Sequence, residues 1–218
     1  SAHSLHIPVL IDGAQGIQHA GTDVRKCDFD FYVFSGHKLY GPAGIGVLYG
    51  KEKWLTEPPP YQGGGDMVDK VTFEKTTYGA LPLKFEAGTM NYPSAIGLAA
   101  AFDYVLSIGR EYISSQEKDL LTYATEILSG IRRVKIFGKS DKKISTISFL
   151  IDGIHMYDTG MVLDKLGIAV RTGTHCAQPV MDRMGIDGTV RVSMCFYNTR
   201  EEIDALGTGI EKVIQMFS

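Results

Sequence analysis

Two short apolar runs, each broken off by polar and glycine residues, constrain the fold of this chain more than any other feature. Ile7-Pro-Val-Leu-Ile11 stops at Asp12-Gly13, and Asp28-Phe-Asp-Phe-Tyr-Val-Phe34 stops at Ser35-Gly-His-Lys38. Such runs suit strands buried on both faces, as in a parallel sheet covered by helices. Open α/β sheets of that kind bind ligands at the carboxyl ends of their strands. Asp12 and the Ser35–Lys38 stretch therefore fall where a ligand is expected. Lys38 stands out, because an amine between a buried strand and a glycine-rich turn is both desolvated and reachable. Taken alone, Asp12 reads better as a turn aspartate before Gly13.

A third strand, Gly44-Ile-Gly-Val-Leu-Tyr49, follows the Gly41-Pro42 turn. Its glycines are packing and turn residues: no Gly-Lys-Ser/Thr closes a Walker loop, and no GxGxxG opens a helix. Residues 51–94 read as irregular, with Pro58-Pro-Pro60 and Gly63-Gly-Gly65, and a loop of that length is expected to wrap a partner subunit. Ser94 to Ile108 reads as a helix buried through Ala99-Ala-Ala101, and Glu111 to Ile131 as an amphipathic one. The period then changes. Val134–Phe137 and Ile144–Ile151 read as strands joined by a basic connection, Met156–Leu166 as a helix, and Ile168–Val170 and Thr189–Phe196 as strands. A helix from Arg200 to Phe217 closes the chain, with Thr199 and Glu202 as its capping box. The expected division is 1–104 for part of a larger α/β domain and 105–218 for a small α+β domain.

A net charge of -3 carries no basic footprint, which argues against nucleic acid as the main partner. The longest apolar run, Ala95 to Phe102, is far too short to cross a bilayer. No signal peptide is visible, and three cysteines without framework spacing fit a reducing compartment, so cytoplasm is expected. The chain starts almost directly on a strand, which suggests a missing front part. Cys27 and Cys195, flanked by strand-like sequence, read as small apolar fillers. Cys176 differs: in Arg171-Thr-Gly-Thr-His-Cys-Ala-Gln-Pro179 it sits on a polar loop beside His175 and Arg171, the setting of a reactive thiol. No CxxC or HxxxH spacing accompanies it, so no metal site is expected.

Asp12-Gly-Ala-Gln15, Ser35-Gly-His-Lys38, Phe85-Glu-Ala-Gly-Thr89, Arg171-Thr-Gly-Thr-His-Cys-Ala177 and Thr189-Val-Arg191 with Tyr197-Asn-Thr199 occur in this order. Together they resemble the group II (SufS-like) cysteine desulfurases, in the class V branch of fold-type I pyridoxal-phosphate enzymes. The resemblance runs over essentially the whole chain. It implies an α/β fold: the C-terminal part of the large cofactor-binding domain, a mostly parallel sheet with helices, followed by a small α+β C-terminal domain.

By that resemblance, Lys38 links to pyridoxal 5'-phosphate and moves the substrate's Cα proton, and Asp12 pairs with the pyridinium nitrogen. Gln15 bonds the ring's phenolic oxygen, and Ser35 and His37 bind the phosphate. Thr89 reaches the phosphate of the other subunit of a homodimer. Arg191 grips the substrate carboxylate and Arg171 supports the site. Cys176 is the nucleophile that takes sulfur from L-cysteine, releasing alanine. The resulting persulfide passes to a SufE- or SufU-like acceptor for iron–sulfur cluster assembly. Two departures stand out. Thr174 replaces the first of two histidines usual before the cysteine, and family chains are about twice this long. The missing half normally carries a histidine stacked on the cofactor, so this span alone is expected to be weakly active or inactive. Selenocysteine lyases, kynureninases and aminotransferases of class V are the nearest alternatives, and L-selenocysteine is an alternative substrate. A non-catalytic scaffold has no need of Asp12, Lys38, Cys176 and Arg191 together.

Overall fold

The computed structural model describes residues 2–138, 140 and 142–218, and the chain divides into two units, Ser1–Arg110 and Glu111–Ser218. Lys139 and Asp141, in the basic connection expected before Ile144, lie outside the described residues.

The first unit opens with β1 (Leu10–Asp12), α1 (Gly16–His19), α2 (Val24–Cys27), β2 (Phe31–Ser35), β3 (Gly46–Gly50) and α3 (Glu52–Thr56). β1 and β2 pair in parallel, with Asp12 opposite Val33, whereas β3 runs antiparallel to β2, with Gly46 opposite Ser35. The connection 36–45 is too short for the helical crossover that a parallel neighbour needs. It turns back through Gly41-Pro42 and Gly44, whose φ of +80° favours glycine. The first apolar run is not buried on both faces. Pro8 has no N–H for a ladder, the strand is three residues long, and it lies at the sheet edge. Ile7 and Leu10 are 52% and 58% exposed.

β2 buries Tyr32 and Phe34, and the Phe34 ring meets Phe102 edge-on with centroids 6.1 Å apart. Just before β2, Asp30 is 2% exposed and gathers the start of the sheet. It accepts from Val9 N–H at 2.9 Å, Trp54 Nε1–H at 2.8 Å and Lys51 Nζ at 3.1 Å, with His3 Nε2 at 2.7 Å. The Val9 N–H first, and then these side chains, hold the Asp30 carboxyl well below the usual carboxylate range.

Residues 51–94 are not structureless. After α3, β4 (Val68–Val71) and β5 (Thr76–Tyr78) form an antiparallel hairpin with Phe73 fully exposed near its tip. Both strands are short and largely solvent-facing, so no apolar alternation announces them. α4 (Tyr92–Ile108) starts at Asn91, whose side chain accepts Ser94 N–H at 3.2 Å, and buries Leu98, Ala101 and Val105. Ala99 and Ala100 face solvent, against expectation, because the helix is covered on one side only. Cys27 is also no strand filler: it ends α2 and is exposed.

The second unit is built from α5 (Arg110–Gly130), β6 (Val134–Phe137), β7 (Thr146–Ile151), α6 (Met156–Lys165), β8 (Arg171–Gly173), α7 (Gln178–Met184), β9 (Thr189–Ser193) and α8 (Arg200–Met216). Its sheet is wholly antiparallel in the order β6-β7-β9-β8. Ile147, Phe149 and Ile151 alternate into the core of this unit, with Val190 beside them. They meet Leu120 and Leu128 of α5, Leu163 of α6 and Ile210 of α8, all fully buried. Each such side chain stabilises by about 1.5–3 kcal/mol. α8 begins with the expected capping box: Thr199 Oγ1 accepts Glu202 N–H at 3.4 Å, and Glu202 Oε2 accepts Thr199 N–H at 3.0 Å. Ile168–Val170 is not a strand. α6 ends at Lys165 and the chain turns off through Gly167 (φ +77°), Ile168 and Val170 pack on the core, and pairing with β9 begins only at Arg171.

Candidate active site

Parallel pairing with Asp12 opposite Val33 brings Asp12 and Ser35 to the same end of β1 and β2. The chain leaves β2 through a 3-10 turn, Gly36–Leu39, that carries His37 and Lys38. Leu39 is 1% exposed and fastens the turn to the unit, while Tyr40 in the left-handed region (φ +61°) stops it. Gln18 Nε2 donates to Tyr40 Oη at 2.6 Å, which ties the turn to the segment after β1. A Cβ on Gly36 would stand 2.8 Å from Ile45 Cγ2, and one on Gly41 3.0 Å from Leu98 Cδ1. These glycines therefore permit close packing beneath the lysine. Lys38 is half-buried and His37 exposed.

Asp12 gives one carboxylate oxygen to Ala14 N–H at 2.9 Å and is otherwise open to solvent. Gln15 caps α1 and is exposed. Among the described residues, Gln15, Ser35, His37 and Lys38 are committed to no side-chain hydrogen bond or ion pair. Thr89 lies exposed on the loop before α4, after Gly88 (φ +82°), and no contact described joins it to the Asp12–Lys38 group. Gly13 packs against the phenol end of Tyr32, where a Cβ would lie 2.0 Å from Cζ and 2.3 Å from Oη. Tyr32 is 3% exposed and cannot swing away. Gly13→Ala is thus expected to destabilise the protein by about 1–3 kcal/mol and to displace Asp12, read as a lower urea midpoint at unchanged m-value.

In the second unit, Arg171 lies on β8 and not on the loop after it, directly opposite Arg191 of β9, which in turn faces Ser148 of β7. Residues paired across antiparallel strands share a face. Both arginines therefore sit on the face away from Val190 and the helices. Two cations in direct register repel, and burial first, then Arg171, push the Arg191 pKa down. Arg191 Nε is buried with no partner among the described residues. Such a pair is suited to a carboxylate or another anion, which two guanidinium groups bind in fork geometry.

β8 runs into a tight turn in which Ala177 N–H donates to Thr174 C=O at 2.9 Å, with His175 (φ +55°) and Cys176 (φ +60°) between them. Positive φ at both central positions marks a type I′ turn, a geometry usually given to glycine or asparagine. Two ordinary residues held there cost on the order of 1–3 kcal/mol each. The thiol is exposed, and Arg171 Nη2 lies 3.7 Å from Cys176 Sγ. His175 Nε2 lies 3.1 Å from Thr189 C=O and 2.9 Å from Thr189 Oγ1. Burial first, then Arg191, lower the His175 pKa, which favours the neutral ring. The roles of Thr189 as the partner of His175 and of Gln18 as the partner of Tyr40 had no signal in the sequence, since both pairings join residues far apart along the chain.

The chain matches the family described as aminotransferase class-V over residues 1–206. It is 47% identical to a cysteine desulfurase of Synechococcus elongatus over 97% of this chain and 34% of that protein. It is 46% identical to a cysteine desulfurase of Serratia proteamaculans over 97% of this chain and 52% of that one. Among solved structures, it superposes on cysteine desulfurase CsdA of Escherichia coli, in an S-sulfonic acid form, with a TM-score of 0.94 and 40% identity. That match covers 100% of this chain and 54% of the CsdA chain. The chain thus spans from a third to about half the length of these relatives.

Proposed function

Because the chain belongs to the aminotransferase class-V family, we propose that it forms part of a pyridoxal-phosphate-dependent cysteine desulfurase. The observation that carries this reading is the exposed Cys176 thiol on a strained turn, with the Arg171 guanidinium 3.7 Å from its sulfur. A thiol presented in this way suits attack on sulfur, and the other class V chemistries have no use for it.

The uncommitted polar groups at the end of β1 and β2 fit the cofactor. When bound, pyridoxal phosphate supplies an electron sink for the substrate's Cα and Cβ bonds. Asp12 has a carboxylate oxygen left for a protonated ring nitrogen, and Gln15 an amide for the ring's oxygen. Ser35 and His37 offer a hydroxyl and an imidazole for the phosphate. Lys38 holds the cofactor and moves the proton at Cα, a task for an amine kept in a partly buried place. Arg191, backed by Arg171, orients the substrate carboxylate. Cys176 Sγ, having lost its proton, forms the new S–S bond as the substrate C–S bond breaks; that bond's electron pair stays with carbon, Cβ takes a proton to become the methyl group of alanine, and a persulfide remains on the enzyme.

Further parts of the proposal rest on the resemblance. The enzyme is a cytoplasmic homodimer in which Thr89 reaches the partner's phosphate, and the persulfide goes to a SufE- or SufU-like acceptor for iron–sulfur cluster assembly. The unit Ser1–Arg110 belongs to the cofactor-binding domain and Glu111–Ser218 to the domain that bears the cysteine, a division six residues later than the expected one, since α4 runs unbroken to Ile108. Among the described residues, no helix is long and apolar enough to cross a membrane. The activity is proposed for the full-length protein. These 218 residues alone, with Leu10 and Leu48 of the small sheet more than half exposed, turn over little. The test is product analysis on the full-length protein with pyridoxal phosphate and L-cysteine. Alanine equimolar with transferred sulfur is expected, whereas pyruvate and ammonia in place of alanine would sink the reading.

A further inference from the structure

The turn that presents Cys176 is held from one side. His175, its first central residue, reaches back to β9, where Thr189 is 1% exposed. Only a donor can satisfy the Thr189 carbonyl, so Nε2 carries the proton. His175 Nδ1 is then an acceptor, buried and without a partner among the described residues. The ring therefore makes its hydrogen bonds to Thr189 alone. Thr189 is paired with Gly173 in the β8–β9 ladder, so the anchor point is as rigid as the sheet.

We propose that His175 is a positioning residue. By bonding Thr189 it holds the His175–Cys176 turn in a left-handed geometry that neither residue favours, and so keeps Cys176 Sγ beside Arg171. Without the anchor, the two residues relax toward negative φ. Cys176 stays exposed but its sulfur leaves the guanidinium, which otherwise stabilises negative charge on sulfur during attack. The inference deepens the reading of Cys176 as the sulfur acceptor and rests on it. Its test contains neither substrate nor cofactor, so the two fail separately.

The experiment is the second-order rate of iodoacetamide alkylation at Cys176 in the full-length protein, followed by peptide-resolved mass spectrometry, with folding monitored by circular dichroism. His175→Ala is expected to slow alkylation about fivefold, the worth of one lost hydrogen bond. His175→Gln, whose Nε2 can still donate to Thr189, restores most of the rate. Thr189→Val slows the reaction by a smaller factor. Arg171→Ala slows it as much as His175→Ala, and adding His175→Ala to Arg171→Ala changes nothing further, because the anchor acts through the arginine. A purely structural role for His175 would lower the melting temperature and leave the alkylation rate of the folded His175→Ala protein unchanged. The proposal is overturned by an unchanged or faster rate in folded His175→Ala, or by the same fivefold loss in the Arg171→Ala background. Should His175→Ala fail to fold, Thr189→Val decides: a slower rate supports the anchor and an unchanged one overturns it.

Discussion

Replacing Cys176 by serine is expected to reduce alanine release from L-cysteine by about 10³-fold or more, while cofactor capture stays as in the unaltered protein. The reason is the bond to be made. Sulfur transfer from cysteine requires a nucleophile that can accept a sulfur atom and hold it as a persulfide. A serine hydroxyl occupies nearly the same volume but is a far poorer nucleophile toward sulfur and forms no stable equivalent. The turn tolerates the exchange, since Cys176 is exposed and its backbone geometry, not its packing, sets the position of the side chain. The measurement is alanine and sulfide release under single-turnover conditions, with the cofactor's absorption as the control for binding. Cleavage of selenocysteine sorts the alternatives, because a selenocysteine lyase has no need of this thiol. Loss with cysteine but retention with selenocysteine fits a desulfurase that also cleaves the selenium substrate. Undiminished alanine release from cysteine in Cys176→Ser overturns the desulfurase reading and leaves another class V chemistry in its place.

The parts of this molecule legible in its sequence are those in which one local signal decides. Thr199 and Glu202 announce the start of α8 because a capping box needs only four consecutive residues. The amphipathic helix α5 and the alternation in β7 follow from burial on one side of a single unit. The misplaced elements depended on something distant. β8 begins at Arg171 and not at Ile168 because the register with β9 decides it, and Ile168 and Val170 spend their apolar side chains on the core. The β4–β5 hairpin has short, largely exposed strands without an apolar alternation, and β1 is shorter than its apolar run because Pro8 and an edge position limit it. The candidate site divides in the same way. Lys38 and Asp12 could be placed at strand ends from the punctuation that follows each run. The opposition of Arg171 and Arg191 and the anchoring of His175 on Thr189 are facts of antiparallel pairing, which no spacing along the chain contains.

Replacing Lys38 by alanine is expected to do more damage than any other single exchange, lowering turnover by about 10⁴-fold or more. On the proposed function, two separate tasks fall on this amine, and alanine can do neither. The first is attachment. Lys38 has no hydrogen-bond or ionic partner among the described residues and is half-buried on a turn fixed by Leu39 and by the close approach of Gly36 to Ile45. The amine is thus held in place without being neutralised by a neighbouring carboxylate. The second task is the proton at Cα, which needs a base within reach of the substrate. The two can be separated experimentally. Borohydride reduction of the protein with pyridoxal phosphate should leave a pyridoxyl group on the Lys38 peptide by mass spectrometry, and none anywhere in Lys38→Ala. Added methylamine should restore part of the turnover of Lys38→Ala by supplying a diffusible base, and it should restore none of the covalent label. Lys38→Arg should behave as Lys38→Ala in both assays, because a guanidinium keeps the charge but is neither a nucleophile nor a base near neutral pH. A pyridoxyl group found on a different lysine, with Lys38→Ala retaining turnover, would show that the amine at the end of β2 is a surface lysine and that the chemistry is held elsewhere.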